Sequence, residues 1–355
     1  MKKQKKKKIL VIGYGGTISM VVRDNKVLPA KNIKEIMAML PRLSELADVE
    51  MDVLSNKDST NVNHADWTRL AYHISKNIAK YDGFLITHGT NTMAYTASAL
   101  SLALGPGLKK PVALTGSQLP LTVYGNDARF NFENAVKVLV QACSENIAEV
   151  MVVFNDLVLR GGRAVKVSES AFRAFLSPAF PNIADIVSTG VHFNYNARKV
   201  DQKTKFLVQP HFTPGVLSID LTPGQLPDLF ETIISSGKCK GIILKSHGAG
   251  SVPTDGPYNF IPLIHKTVHE YKIPVIISTK FLGGNSYKEV NDECAVVALE
   301  AGAIPSGDLT DVMTEVKLMW LLAQGINSIG GIQKAILSDH TGEITGSKVK
   351  ALADK

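Results

Sequence analysis

Residues 82–104 read Asp82-Gly83-Phe84-Leu85-Ile86-Thr87-His88-Gly89-Thr90-Asn91-Thr92-Met93-Ala94-Tyr95-Thr96-Ala97-Ser98-Ala99-Leu100-Ser101-Leu102-Ala103-Leu104. The apolar run Phe84 to Ile86 predicts a short buried strand. Thr87 to Thr92 form a polar turn. Met93, Ala97, Leu100 and Leu104 then recur at helical spacing, and Gly105-Pro106 predicts the helix end. Hydroxyls, an imidazole and an amide therefore sit between a strand's carboxyl end and a helix's amino end. In an open parallel sheet ligands bind along that edge. The N–H groups of a helix's first turn also suit an anionic or developing negative oxygen.

The same unit recurs on either side. Residues 9–12 predict a strand ending in Gly13-Tyr14-Gly15-Gly16-Thr17-Ile18. This is not a dinucleotide turn, because Ile18 stands where the third glycine belongs, and no Gly-Lys-Ser/Thr follows for a phosphate loop. The glycines allow a small ligand to approach the backbone, with Thr17 beside it. Residues 20–29 predict a polar hairpin or lid, and 32–41 a helix. A strand over 50–54 leads into Asn56-Lys57-Asp58-Ser59-Thr60-Asn61, then a helix over 65–80. Val112 to Leu114 predict a strand opening into Thr115-Gly116-Ser117-Gln118. Asn126-Asp127 predict the cap of a helix over 128–142. Val150 to Phe154 predict a fifth strand, followed by Arg160-Gly161-Gly162-Arg163-Ala164-Val165-Lys166.

Strands that alternate with helices imply a mainly parallel α/β sheet wound on both faces. The polar clusters fall after strands, so Thr17, Ser59, Thr90, Asn91, Ser117 and Lys166 are expected along one sheet edge. Residues 1–8 read as a basic tail and 9–190 as a large amino-terminal domain. Residues 191–212, rich in Asn, Lys and Thr, read as a linker. A smaller carboxyl-terminal α/β domain spans 213–345, with strands at 216–219, 242–244 and 275–277. Its helices lie near 225–236, 258–271, 290–301 and 310–323. Residues 346–355 read as a tail.

Composition narrows the class. The 355 residues are 45% apolar and 20% charged, as in a soluble globular protein. No apolar run reaches the roughly 18 residues of a membrane span. The net charge is +7, but Lys2, Lys3, Lys5, Lys6, Lys7 and Lys8 supply six of those charges, leaving about +1 for the rest. A solvated tail explains the run better than a nucleic-acid or membrane contact, and no signal-peptide pattern follows it. Cys143, Cys239 and Cys294 are far apart and in apolar surroundings, which predicts free thiols in a reducing cytoplasm. No metal-ligand spacing and no redox cofactor motif is present.

Two threonines and a lysine on one sheet edge suggest acyl transfer. A threonine hydroxyl needs a base to become a nucleophile, and a lysine serves once burial keeps it neutral. Each residue has a plainer reading alone: Thr17 or Thr90 as a turn residue, Lys166 as a surface charge, Asp58 and Ser59 as a cap, His88 as a turn histidine bonded to backbone. Their joint placement carries the signal.

Several stretches resemble the L-asparaginase/glutaminase family of threonine amidohydrolases. They are Gly15-Gly16-Thr17-Ile18, Thr87 through Ser98, Asp58-Ser59-Thr60, Thr115-Gly116-Ser117-Gln118, Arg160 through Lys166, and Ala301-Gly302 through Gly307-Asp308-Leu309-Thr310. They span about residues 8–345 in order and are most similar to the cytoplasmic type I branch. The resemblance implies a large and a small α/β domain, hydrolysis of L-asparagine to L-aspartate and ammonia, and no cofactor. It implies Thr17 as nucleophile and Thr90 with Lys166 as a second hydroxyl–base pair. Asp58, Ser59 and Thr60 would hold the substrate α-carboxylate, and backbone N–H groups near Thr90 and Ser117 would orient the amide. It further implies a homodimer or dimer of dimers, with partner residues such as those matching Ser246 to Gly250 closing the site.

Two departures stand out. Members usually carry Asp where this chain has Asn91, a carboxylate that binds the substrate ammonium. The lid tyrosine of many members aligns with Val27, and a small-domain tyrosine of some relatives aligns with Asp292. Tyr14 and Tyr287 are candidate substitutes. An alternative reading is a catalytically weak, amide-binding sensor.

Overall fold

The computed structural model describes residues 5–23, 26–29, 33–40, 42–286 and 293–345. The chain divides after Pro210 into two compact units. In the first, strand β1 (Lys8–Gly13) is followed by the hairpin β2 (Met20–Arg23) and β3 (Lys26–Pro29), then helices α1 (Ile33–Met39) and α2 (Leu43–Leu46). Next come β4 (Asp48–Val53), α3 (His64–Asn77), β5 (Gly83–Thr87), α4 (Met93–Leu104), β6 (Val112–Thr115), α5 (Ala128–Glu145) and β7 (Val150–Phe154). Strand β8 (Leu157–Arg160) and the short ribbon β9 (Val165–Lys166) and β10 (Phe175–Leu176) follow, then β11 (Ala184–Val187) and β12 (Gly190–Phe193).

Eight of these strands form one sheet in the order β12-β11-β8-β7-β6-β5-β1-β4. Strands β4, β1, β5, β6 and β7 run parallel, and β8, β11 and β12 extend the sheet antiparallel. Ile9 to Ile12 are all buried, as a central strand covered on both faces requires. Ile9, Val11, Leu85, Ala113, Met151 and Val153 pack in one core with the inner face of α5. Helix α4 is buried nearly all round. Gly105, at φ 68°, ends it. Strand order reverses at β1: the chain goes first to β4 on one side, then to β5 on the other. The crevice at such a reversal, at the strands' carboxyl ends, is where open α/β sheets bind ligands. Thr17 follows β1 and Thr90 follows β5, so both flank it.

The second unit contains β13 (Val216–Asp220), α6 (Asp228–Ser235), β14 (Gly241–Ser246), α7 (Ile261–His269), β15 (Val275–Thr279), α8 (Glu293–Glu300), β16 (Ile304–Pro305), α9 (Asp311–Ala323) and α10 (Ile329–Ile336). Its four strands are parallel in sequential order. Without a reversal this sheet has no crevice of the kind at β1 and β5.

The structure corrects the sequence reading at several points. Strands β8, β11 and β12 are additional, and they make the sheet mixed. Val191 to Phe193 belong to β12 and not to a linker, and residues beyond them stay tied to the large unit: Ile147 bridges Lys199, and the Gln209 N–H donates to the Ala103 carbonyl. Lys8 opens β1 and pairs with Glu50 at 2.6 Å, so it is not tail. Asp127 does not cap α5. Its carboxylate accepts from the Gln118 and Leu119 N–H groups, and Asn126 Oδ1 accepts from the Arg129 N–H instead. Strand β16 and helix α10 escape a pattern reading because Pro305 and Gly330-Gly331 read as breakers. Residues 346–355 lie outside the described residues.

Candidate active site

The loop after β1 lies flat against its neighbours because Gly15 and Gly16 have no side chains to keep it away. Gly15 and Gly16 take φ 89° and 84°. A Cβ on Gly16 would lie 2.5 Å from the Gly89 nitrogen, and one on Gly15 would lie 2.2 Å from the Lys57 carbonyl oxygen. Thr17, half-buried, then opens a 3-10 turn over Thr17–Ser19. The loop after β4 closes from the other side. Ser59 is buried, and a Cβ on Gly89 would meet its Oγ at 2.6 Å. Thr92 Oγ1 donates to the Ser59 carbonyl at 2.6 Å and so does not cap α4. Exposed Asp58 accepts from the Thr60 N–H at 2.8 Å. The N–H and hydroxyl of Thr60 hold its carboxyl below the usual range.

Lys166 provides the direct link. Its Nζ donates to Thr90 Oγ1 at 2.9 Å and to Asn91 Oδ1 at 2.8 Å. Asn91 Nδ2 in turn donates to Thr60 Oγ1 at 3.4 Å. Burial lowers the Lys166 pKa, and Glu169 only partly offsets it. The ammonium is thus easier to deprotonate than a solvated lysine, as a base for a threonine hydroxyl requires. Lys166 does not reach this place at the end of a sheet strand. Strand β8 runs back along β7, leaving Arg160 opposite Met151. The turn Gly161–Arg163 packs on α4, and the β9–β10 ribbon, with Lys166 opposite Phe175, returns the chain to Thr90. Gly161 permits the approach, since a Cβ there would lie 2.9 Å from the Val150 carbonyl oxygen.

The other predicted residues sort themselves. Buried Ser117 donates its hydroxyl to the Leu119 carbonyl at 2.8 Å. Its loop still borders the site, because a Cβ on Gly116 would lie 3.3 Å from Thr90 Cγ2. His88 is fully buried, and burial pushes its pKa down to about 4. Its Nδ1 sits 2.8 Å from the Gly89 carbonyl oxygen, so Nδ1 carries the proton. Nε2, 3.0 Å from Thr96 Oγ1, accepts; Thr96 itself accepts from the Trp67 indole at 3.2 Å. His88 is a neutral brace for the turn. Tyr14 cannot stand in for a lid tyrosine. Its ring is buried and its hydroxyl donates to Asp66 at 2.7 Å; burial and Asp66 raise its pKa far above the ordinary value. Tyr287 and Asp292 lie outside the described residues, as does the side chain of Val27.

A group absent from the sequence reading stands behind the site. Asp66 accepts from Tyr14, from Lys57 and from the Asn63 N–H. The spacing of Asn63 and Asp66, a helix cap with its acidic third residue, is the one sequence signal that could have found it. Among the described residues no three His, Cys, Asp or Glu side chains are grouped to hold a metal, and Cys143, Cys239 and Cys294 form no disulfide with one another. No helix among the described residues is long and apolar enough to cross a membrane.

Comparison with known proteins identifies the family. Residues 8–199 match the family model Asparaginase, N-terminal, and residues 215–335 match Glutaminase/Asparaginase C-terminal domain. The L-asparaginase of Thermococcus kodakarensis is 34% identical over 96% of this chain and 100% of its own. L-asparaginase 1 of Escherichia coli K12 is 31% identical over 96% and 98%. The solved structure of the thermostable Thermococcus enzyme superposes with a TM-score of 0.87 at 33% identity, covering 96% of this chain and 100% of that one. L-asparaginase I of Vibrio cholerae gives 0.84 at 29% identity, covering 96% and 99%. The matched family models cover most of both units, and on that ground the chain belongs to the asparaginase family and is an amidohydrolase of that family.

Proposed function

We propose that the chain hydrolyses the side-chain amide of L-asparagine, with Thr17 as nucleophile. Thr17 Oγ1 attacks the amide carbon, the tetrahedral intermediate expels ammonia, and water releases aspartate from the resulting ester. Lys166, held on Thr90, takes the proton as the hydroxyl or water attacks and returns it to the leaving nitrogen or to Thr17 Oγ1. Ser59 and the Asp58–Thr60 backbone receive the α-carboxylate, and N–H groups around Thr90 and Ser117 stabilise the oxyanion. The observation that carries the reading is the Lys166–Thr90 bond at 2.9 Å, made by a lysine whose pKa burial lowers. The L-asparaginases among the relatives support the choice of substrate.

Asn91 modifies the reading. Its Oδ1 is taken by Lys166, and its Nδ2 is a donor where an α-ammonium needs an acceptor. Replacing an ion pair by a neutral bond costs about 1–3 kcal/mol. Turnover of asparagine is therefore slow, or the preferred amide lacks a free ammonium. The same reading takes the enzyme as a cytoplasmic homodimer, in keeping with the type I resemblance and with three cysteines that form no disulfide with one another. Ammonia release from L-asparagine, L-glutamine, D-asparagine and N-substituted amides tests it. Turnover must vanish in Thr17→Ala and in Thr90→Val. Ligand-induced stabilisation without any product, in the native chain and in Asn91→Asp alike, would refute it.

A further inference from the structure

Asp66 is buried, and its carboxylate receives four hydrogen bonds. Tyr14 Oη donates to Oδ1 at 2.7 Å. Lys57 Nζ lies 2.7 Å from Oδ1 and 2.9 Å from Oδ2. The Asn63 N–H donates to Oδ2 at 2.9 Å. Only the last of these belongs to the cap of α3, and a helix cap requires neither a tyrosine nor a lysine. The other donors come from the two loops that frame the site.

Tyr14 opens the loop that ends in Thr17. Between them stand Gly15 and Gly16, which carry no side chain to anchor that loop, so its position depends on what holds its ends. Tyr14 is held from several sides. Its N–H donates to the Thr87 carbonyl at 3.0 Å, its ring stacks on His88 at 6.2 Å and 8°, and its hydroxyl is bound by Asp66. Lys57 adjoins Asp58 and Ser59, and its carbonyl oxygen fills the space a Gly15 side chain would need. The loops therefore touch through backbone, and one buried anion binds a side chain from each. The hydrogen bonds and charge of Lys57, with those of Tyr14 and Asn63, outweigh burial and keep the Asp66 carboxyl below its usual range, so the clamp is ionic at neutral pH.

We propose that Asp66 is a positioning residue that locks the nucleophile loop (residues 14–17) to the substrate loop (residues 56–61) through Tyr14 and Lys57. The proposal rests on the reading of Thr17 as nucleophile and Asp58 to Thr60 as the carboxylate site. Its parts separate kinetically. Tyr14→Phe keeps the stacked ring and frees the nucleophile loop, so it lowers kcat about tenfold and leaves KM within roughly twofold. Lys57→Met frees the substrate loop, so it raises KM about tenfold with kcat little changed. Asp66→Asn does both. A carboxylate that only stabilised the fold would lower Tm and leave kcat and KM of the folded enzyme unchanged. That result, or Tyr14→Phe and Lys57→Met shifting one and the same parameter, would overturn the proposal.

Amide hydrogen exchange provides a readout independent of turnover. In Asp66→Asn the amides of both loops should exchange faster together, whereas Tyr14→Phe should loosen the first loop only. Unchanged exchange in Asp66→Asn would overturn the clamp. If the native chain releases no ammonia from any amide, the functional reading fails, and exchange alone decides whether the two loops are locked.

Discussion

Lys166 donates to a hydroxyl and an amide oxygen, and neither carries charge. Neither partner is an anion, and Glu169 offsets burial only in part, so burial sets the direction of its pKa. A base must be neutral to act, and the neutral fraction grows as pH rises through the pKa. A lowered pKa therefore extends activity toward lower pH. Asn91→Asp would place a carboxylate on the ammonium, stabilise the charged form and raise that pKa. The acid limb of the kcat profile should move to higher pH in Asn91→Asp, while the KM for asparagine falls. An unmoved limb would mean that another group is the base. The same substitution should improve asparagine relative to amides without an ammonium by about tenfold to a hundredfold in kcat/KM. At this scale Thr17, Thr90 and Asn91 were legible because each follows an apolar strand directly. Lys166 was legible as a residue of the same sheet edge, but its path through β8 and the β9–β10 ribbon was not, because it depends on pairing that local sequence does not encode.

The turns matter more than the helices in bringing the site together. Gly16 combines φ 84° with a Cβ position 2.5 Å from the Gly89 nitrogen and the His88 carbonyl carbon. Gly125, in the same unit, has φ 68° and nothing within 4 Å of that position. Alanine at Gly125 meets only the left-handed backbone penalty, about 1 kcal/mol. Alanine at Gly16 adds a clash between two backbones and should cost about 3 kcal/mol or more, with loss of ammonia release. Urea midpoints of the two variants test the difference, and equal losses would show that the close approach carries no weight. The strand–turn–helix unit of residues 82–104 was readable because a buried apolar run and a helical repeat have different periods. The hairpin β11–β12 was not. Ser188-Thr189 is not a turn signature, and its residues become strand only because the edge of β8 is available to pair.

Across the molecule, the large unit has the strand reversal and the small unit does not, yet the small unit contains a fully buried ion pair. Lys317 and Glu343 are 1% and 0% exposed and meet at 2.7 Å. That bond ties the last described segment to α9, and Glu343 also accepts from the His340 and Thr341 N–H groups. Burial alone would raise the Glu343 pKa, but Lys317 and the Thr341 N–H hold it below the usual range. The group thus adds stability that is present above the unfolded carboxyl pKa, about 4.3, and is lost as pH falls through the lower folded value. Lys317→Met leaves Glu343 buried without its cation and should destabilise the unit by about 3–5 kcal/mol at pH 7. The loss should shrink below pH 4, where Glu343 can be protonated; denaturant titrations at both pH values check this, and a pH-independent loss would refute it. By itself the sequence determined the alternation of strands and helices, the two α/β units and the residue types along one sheet edge, because apolar periodicity and turn chemistry are local. Only the tertiary structure decided the antiparallel extension of the sheet, the return of Lys166 to Thr90 and the bonding of Tyr14 and Lys57 to Asp66. Those depend on side chains and strand edges that meet across the fold, and no local pattern specifies which of them will be neighbours.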